Sequence, residues 1–555
     1  MISELIKSLT IRNIFKGFKM MRELGVRNFL RKVYGIFSAT QKECIYPISL
    51  PKLEIRPDLD FLLLELPPRY VPMLPNGIGY VNNILKKSGI SFQILDMNII
   101  CYHWYHSDRI LNKMNPVVTP DGYMMKEDPW DNTNTAEWEH QEVIGYFMLN
   151  LEELIQDIVV KKPKAVGISV HGSNRVFAKA FVKELRSRMP EIIIVAGGYD
   201  CVYYEIGPYL FPDFDYMVIG EAEMTLEPLV KAIARGEKPM DILGIVSRYD
   251  SPDRMWMMPP LLEDLDLADY PKYEWTELSL YRTYNNNHLM PIAASRGCRW
   301  SRCRFCAECF PFRKRSPQKV ADEIEFMASK GFCKFHFNES DVNGDPKNLY
   351  DICSEIIRKG LKVNLMGQLR IDKRNTREYF EHLAKAGFVH LRFGVDGWSD
   401  NVLRLQRKGY NMKLVLENLR DCYKAGIVVT VNMVLGVPGE TEDDVNEMIK
   451  NLVQCKDYIT VEGINTLILA AGSEYYKHPD ECKIRFRGDK DEIYRNNPYY
   501  IPTDLWYSEE PHIDQEVRVK RLDKICTELY KQKVDIGPFA ARVVENLKKM
   551  EKAVA

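Results

Sequence analysis

Four of the thirteen cysteines in this 555-residue chain fall within twelve positions, at Cys298, Cys303, Cys306 and Cys309, in the segment S-R-G-C-R-W-S-R-C-R-F-C-A-E-C that runs from Ser295 to Cys309. An odd number of cysteines, most of them scattered singly, argues against a disulfide framework. The nine outside this segment, Cys44, Cys353, Cys422 and Cys526 among them, read as small buried hydrophobes. The crowded four need a separate cause. Three thiolates on one loop can hold three irons of a [4Fe–4S] cubane, leaving the fourth iron free to take an amino and a carboxylate group. Nearby arginines would help keep the thiols deprotonated and offset the cluster charge. A zinc knuckle on Cys303 and Cys306 needs a second C-x2-C at suitable spacing, and none follows. Plain structural thiols are the other alternative.

The elements that must position this loop follow from apolar periodicity. Candidate strands Leu289–Ser295, Lys334–Asn338, Val363–Met366, His390–Val395, Val428–Leu435 and Asn465–Leu469 alternate with helices. Six βα units without room for eight predict an open partial barrel, a (β/α)6 arrangement with its chemistry at the carboxyl ends of the strands. The cysteine loop follows the first of these strands. Upstream, short apolar strands Asp60–Leu66, Phe92–Asp96, Ala165–His171, Ile192–Ala196 and Tyr216–Gly220 alternate with helices, which predicts a doubly wound, Rossmann-like α/β parallel sheet. Ligands of such sheets lie outside the carboxyl ends of the strands, where Pro67, Ser169, His171, Gly197, Gly198, Gly220 and Glu221 fall. Paired glycines let backbone approach a ligand closely, and would equally serve a tight turn.

The expected division is a basic amphipathic helical segment at 1–50, the first α/β domain at 55–238 with an aromatic insertion at 101–148, a proline-rich linker at 239–286, the barrel at 287–475 and a mixed or helical capping region at 476–555. Apolar residues make up 46% and charged residues 28%, and 76 Lys plus Arg balance 77 Asp plus Glu, so no global charge calls for a nucleic-acid partner. No apolar run reaches membrane-spanning length, and the first residues lack a secretory pattern, so the expected location is cytoplasmic. The basic face of residues 1–45 fits a helix packed on the main body, or peripheral contact with a membrane surface or an acidic partner.

S-R-G-C followed by C-x-F-C resembles the signature loop of the radical S-adenosylmethionine (radical SAM) superfamily, whose usual spacing is C-x3-C-x2-C; here four residues separate the first two cysteines. The resemblance implies Cys298, Cys303 and Cys306 as cluster ligands and Cys309 as a neighbour, with Cys303, Cys306 and Cys309 the competing set. It implies that Asn338, Glu339 and Ser340 meet the methionine amino group of S-adenosylmethionine. Arg370, two residues after Gln368, is implied as a partner of its carboxylate. G-V-D-G-W-S-D at Gly394–Asp400 resembles the family's G-x-E-S-x-S segment, with Asp396 where Glu is usual and Lys408-Gly409 downstream. G-V-P-G-E-T, with Gly436 and Pro438, matches the turn that lies beneath the adenine in relatives.

The first domain resembles the cobalamin-binding domain of the B12-dependent branch, in its Leu66–Pro75 loop, Ala196–Gly198 and Gly220–Glu223. The cobalt-ligating D-x-H-x-x-G is missing, so His171 is not expected beneath the metal; a degenerate domain without corrinoid is the bland alternative. The resemblance implies a cobalamin-dependent radical SAM enzyme that cleaves S-adenosylmethionine reductively to a 5′-deoxyadenosyl radical and transfers a methyl group to an unactivated carbon. The alternatives are cyclisation or rearrangement without methyl transfer, and a non-catalytic corrinoid- or redox-sensing protein. The implied partners are a small-molecule, lipid or peptide substrate and an external donor such as flavodoxin or ferredoxin. No catalytic acid or base is legible.

Overall fold

The computed structural model describes residues 46–131, 134–202, 210, 213–251, 259–284, 289–308, 310–537, 540 and 543–544. The basic segment 1–45, Cys44 and Cys309 therefore lie outside the described residues. The chain forms two compact units, one within Gln41–Pro291 and one within Ile292–Ala555.

The first unit is built on strands β1 (Phe61–Glu65), β2 (Phe92–Asp96), β3 (Ala165–Ser169), β4 (Ile193–Gly197), β5 (Tyr216–Val218) and β6 (Ile245–Ser247). Their order is β2-β1-β3-β4-β5-β6. The first five strands are parallel and β6 runs antiparallel to β5. Leu62, Leu64, Ile194 and Val166 are fully buried, as continuous apolar strands require when both faces are covered. One expectation changes here. The stretch read as a linker contributes β6, because a three-residue strand, Ile245-Val246-Ser247, is too short to register in sequence. Within the aromatic insertion, Trp138 stacks on Phe147 with ring centroids 4.5 Å apart and meets Trp130 edge-on at 5.0 Å. Both tryptophans are buried, so they form a second small core between helices Met97–Leu111 and Arg175–Arg188.

The second sheet and the cysteine-loop hairpin are built from β7 (Met290–Ile292), β8 (Ser295–Arg296) and β9 (Arg313–Lys314), followed by β10 (Lys334–Phe337), β11 (Asn364–Leu369), β12 (Phe388–Asp396), β13 (Val428–Leu435) and β14 (Thr460–Thr466). Short strands β15 (Leu469–Ala470), β16 (Ile484–Phe486), β17 (Tyr500–Ile501) and β18 (Trp506–Ser508) form two antiparallel pairs, β15 with β17 and β16 with β18. The last strand is β19 (Asp535–Ile536). The barrel sheet has the order β19-β14-β13-β12-β11-β10-β7, with the pairings from β10 to β19 parallel. The six expected barrel strands are present as β7 and β10–β14, with the sixth starting at Thr460 rather than Asn465, and the two-residue β19 adds a seventh strand at the edge. Thr460-Val461 pairs with Asp535-Ile536, and this long-range pairing defines both changes. Asp345, Thr376, Ser399, Asn411 and Thr441 cap the helices that follow with side-chain acceptors. Among the described residues, no helix is long and apolar enough to cross a membrane.

Candidate active site: the cysteine loop and the strand ends

The base of the cysteine loop is a closed hairpin, with Ser295 opposite Lys314 and Arg296 opposite Arg313. Gly297 turns out of it at φ +75°, and a Cβ there would meet the Pro311 and Phe310 carbonyl oxygens at 2.3 and 2.5 Å. Only glycine fits that corner. From the end of β10, Glu339 reaches back and accepts from the backbone N–H groups of Ala294 and Ser295, the latter at 2.8 Å. Burial pushes its carboxyl up to about 7. Its Oε2 is buried without a hydrogen-bond partner. An orphaned acceptor in that place fits a donor brought by a ligand, such as an amino group. Asn338 and Ser340 beside it are exposed.

Cys298 and Cys303 are half-buried and Cys306 is exposed. The Cys306 N–H closes a turn on the Cys303 carbonyl at 3.2 Å, and the Glu308 N–H donates to Cys306 Sγ at 3.4 Å. Burial raises the Cys303 thiol, opposed by Lys408 and Arg370, and takes Cys306 up to about 11, opposed by the Glu308 N–H. The three thiols also act on one another electrostatically. The cations that oppose the rise at Cys303, Lys408 and Arg370, come from the barrel. Arg304 binds Glu474 at 3.0 Å, Arg407 binds the same carboxylate, and Arg302 lies over Trp300. Among the described residues, no three His, Cys, Asp or Glu side chains converge on a point where one ion would sit. Thiolates that each take a different iron of a cubane are held apart by the cluster, so the donor set suits a cluster better than a single ion.

Arg370 follows β11. Its backbone N–H donates to Asp341 at 3.1 Å, and its guanidinium bonds the Lys408 carbonyl. That guanidinium lies 4.1 Å from the Trp300 ring centroid and 5.0 Å from that of Tyr410, a cation–π clamp between the cysteine loop and the barrel. Asp396, at the end of β12, pairs with Lys408 at 2.8 Å, with both side chains largely buried. Trp300, Lys408 and Tyr410 carry the geometry here. Sequence reasoning passed over Trp300 and Tyr410, because a lone aromatic gives no signal until a cation is brought to its face.

The 436–441 turn is held from below. Gly436 (φ +73°) donates its N–H to both oxygens of Glu440, at 3.0 and 3.1 Å. Glu440 is fully buried, and burial pushes its carboxyl up to about 7 against the pull of Arg521, 2.9 Å away. Arg518 packs over Gly436, where a Cβ would lie 2.5 Å from its Cγ, and stacks on Trp506 at 3.6 Å. Both arginines come from the helix Gln515–Lys531, so the C-terminal region buttresses the turn that contains Gly436 and Pro438.

In the first unit, Asn174 ties the strand ends together by donating to the Leu66 and Ser169 carbonyls at 3.1 and 2.9 Å. Pro67, next in the chain to Leu66, is buried. His171 bonds Ser173 at 3.0 Å and faces Glu65 at 3.5 Å, which Arg69 also approaches at 3.2 Å. Glu65 is 1% exposed. Gly197 has open space where a Cβ would stand, and at Gly198 (φ +104°) a Cβ would meet the Val170 carbonyl at 2.6 Å. The Gly220 N–H donates to the Cys201 carbonyl at 3.0 Å, and Glu221 is half-buried beside it. Gly197 thus leaves room for a ligand at the strand ends, and His171 is engaged by Ser173 and Glu65. Asn174, Glu65 and Arg69 were not legible as site residues in sequence.

A seven-stranded open barrel with three thiols after its first strand, preceded in the chain by a doubly wound sheet, defines a class. The Radical SAM superfamily profile matches residues 292–452 and the B12 binding domain profile matches residues 134–230. Residues 292–452 thus form a radical SAM domain, and a B12 binding domain precedes it in the chain. It is 25% identical over 301 residues to an uncharacterized methyltransferase of Pyrococcus horikoshii, covering 53% of this chain and 65% of that protein. It is 25% identical over 275 residues to an anaerobic magnesium-protoporphyrin IX monomethyl ester cyclase of Synechocystis, covering 48% and 55%. The chain thus spans 65% and 55% of the length of these two relatives. Among solved structures, the radical S-adenosylmethionine methyltransferase TsrM of Kitasatospora setae, with cobalamin and a [4Fe–4S] cluster bound, has the same fold at TM-score 0.58 and 18% identity, covering 78% of this chain and 81% of that one.

Proposed function

We propose that this chain is a cobalamin-dependent radical SAM methyltransferase acting on an unactivated carbon of a small molecule. The observation that carries the reading is the loop of three thiols set beside a buried, unpartnered Glu339 oxygen, in a chain that also has open space at Gly197 at the end of a strand of its first sheet. Loaded with a [4Fe–4S] cluster, S-adenosylmethionine and cobalamin, the protein would gain reductive cleavage of the sulfonium and a methyl carrier. Cys298, Cys303 and Cys306 would hold the cluster, and Glu339 would take the ammonium of the methionine moiety on its free oxygen while its other oxygen keeps the loop base closed. Arg370, clamped by Trp300 and Tyr410, shapes the wall beside Cys303. The Gly436–Thr441 turn offers a flat backbone surface for a base. Gly197, Gly198, Gly220 and Glu221 line the corrinoid side. A flavodoxin or ferredoxin would supply the electron.

Cyclisation without methyl transfer is the second reading, favoured by the likeness to the protoporphyrin ester cyclase. Anaerobic reconstitution with iron, sulfide and hydroxocobalamin tests both. After reduction with S-adenosylmethionine, chromatography should show 5′-deoxyadenosine and S-adenosylhomocysteine together with bound corrinoid. Deoxyadenosine and corrinoid without S-adenosylhomocysteine, in the presence of the substrate, would move the assignment to cyclisation. If the wild type makes neither product and a Cys298/Cys303/Cys306 triple alanine variant binds as much iron as it does, the assignment fails. Liposome flotation with and without residues 1–45 tests for a lipid substrate.

A further inference from the structure

Lys408 is 5% exposed, yet it belongs to no helix or strand. Its neighbours Arg407 and Gly409 have φ of +56° and +75°, and a non-glycine residue at positive φ is uncommon. The chain contorts here to aim one lysine inward. Its N–H donates to the Leu403 carbonyl at 2.9 Å, its carbonyl takes the Arg370 guanidinium, and its Nζ sits 2.8 Å from Asp396 Oδ2. Asp396 is itself at φ +59°. The ammonium lies 5.4 Å from the ring centroid of Phe305, the residue just before Cys306, and 5.8 Å from that of Tyr410. Replacing a buried ion pair by apolar side chains of similar volume is often neutral for stability, so stability does not account for keeping this one beside the thiols.

We propose that Lys408 is a positioning residue: it fixes one buried positive charge against the Cys303–Cys306 half of the loop and so sets how readily the iron–sulfur group held there accepts an electron. This rests on the reading that Cys298, Cys303 and Cys306 hold a cluster. Reduction adds one negative charge to the loop, supplied by the external one-electron donor, and a fixed cation nearby stabilises the reduced form. Removing the cation while Asp396 stays charged should disfavour reduction, and removing both charges should restore it.

The test uses the full-length protein, anaerobically reconstituted as wild type, Lys408→Met, Lys408→Met/Asp396→Asn and Lys408→Arg. Iron and sulfide are assayed and the reduced cluster is titrated against potential by electron paramagnetic resonance. The expected result is that K408M has a reduced-to-oxidised ratio at least tenfold lower than wild type at fixed potential, a 59 mV shift for one electron, with K408R and the double variant within threefold of wild type. Four coincident titrations, or equal shifts in K408M and the double variant, would overturn the proposal, because the effect would then be absent or steric. If K408M holds no iron, the double variant decides: iron held with a wild-type potential supports the charge role, whereas lost iron or a shifted potential defeats it. A wild type that binds no iron at these cysteines defeats the underlying reading instead.

Discussion

Replacing Arg521 by Met should loosen the Gly436–Thr441 turn in a way that depends on pH. Arg521 is 5% exposed and Glu440 fully buried, with their charged groups 2.9 Å apart, and the Glu440 oxygens also hold the Gly436 N–H. A carboxyl whose folded value, about 7, stands above its ordinary 4.5 contributes stability that is fully present below 4.5 and lost as pH rises through about 7. Arg521 limits that loss by favouring the ionised form. Without it the Glu440 value climbs further, so the loss continues above 7 and the difference between variant and wild type widens with pH. At pH 5.5, where Glu440 is protonated in both proteins, the cost is about 1 kcal/mol for a lost hydrogen bond. At pH 8.5, an uncompensated buried carboxylate brings it to about 3–5 kcal/mol. For a unit of this size that is roughly 6–15 °C in the melting temperature of its transition. Scanning calorimetry of the full-length protein at both pH values measures it, with Arg521→Met/Glu440→Gln expected to recover most of the loss at pH 8.5. Equal destabilisation at the two pH values, or less than about 1 kcal/mol at pH 8.5, would refute the argument, because the ion pair would then not be what holds the turn.

Gly409→Ala should lower iron bound per chain after reconstitution by at least half, since φ is +75° and the new Cβ would meet two Trp300 ring atoms at 2.1 and 2.3 Å, displacing the indole that anchors the cysteine loop; iron assay with the fold checked by circular dichroism measures it. Gly198→Ala should reduce retained corrinoid several-fold, measured by absorbance after gel filtration, because φ is +104° and the obstruction is the Val170 backbone, which has no flexible end to yield. The Gly198 change should leave iron content untouched, since it lies in the other compact unit.

The sequence by itself determined the two α/β folds, strands β1–β5, β7 and β10–β13 to within a few residues, and the cysteine loop after the first barrel strand. These rest on local patterns: apolar runs of strand length, glycines at corners such as Gly297, and thiols close together in the chain. Burial of seven scattered cysteines was legible in the same way, and Cys333 departs from it by being exposed. Strands β6 and β19 were not legible, because short runs such as Asp535-Ile536 become strands only when an edge formed by another segment, here Thr460-Val461, accepts them. The cradle around the thiols was legible only in part. Asp396 and Lys408 stood within quoted motifs, but their pairing, and the clamping of Arg370 between Trp300 and Tyr410, depend on strands β11 and β12 lying side by side. The same holds for Arg518 and Arg521, which no motif marks. Charge pairing and cation–π contact act over a few ångströms in space whatever the separation along the chain, so tertiary structure alone decided which of many arginines and aromatics belong to the site.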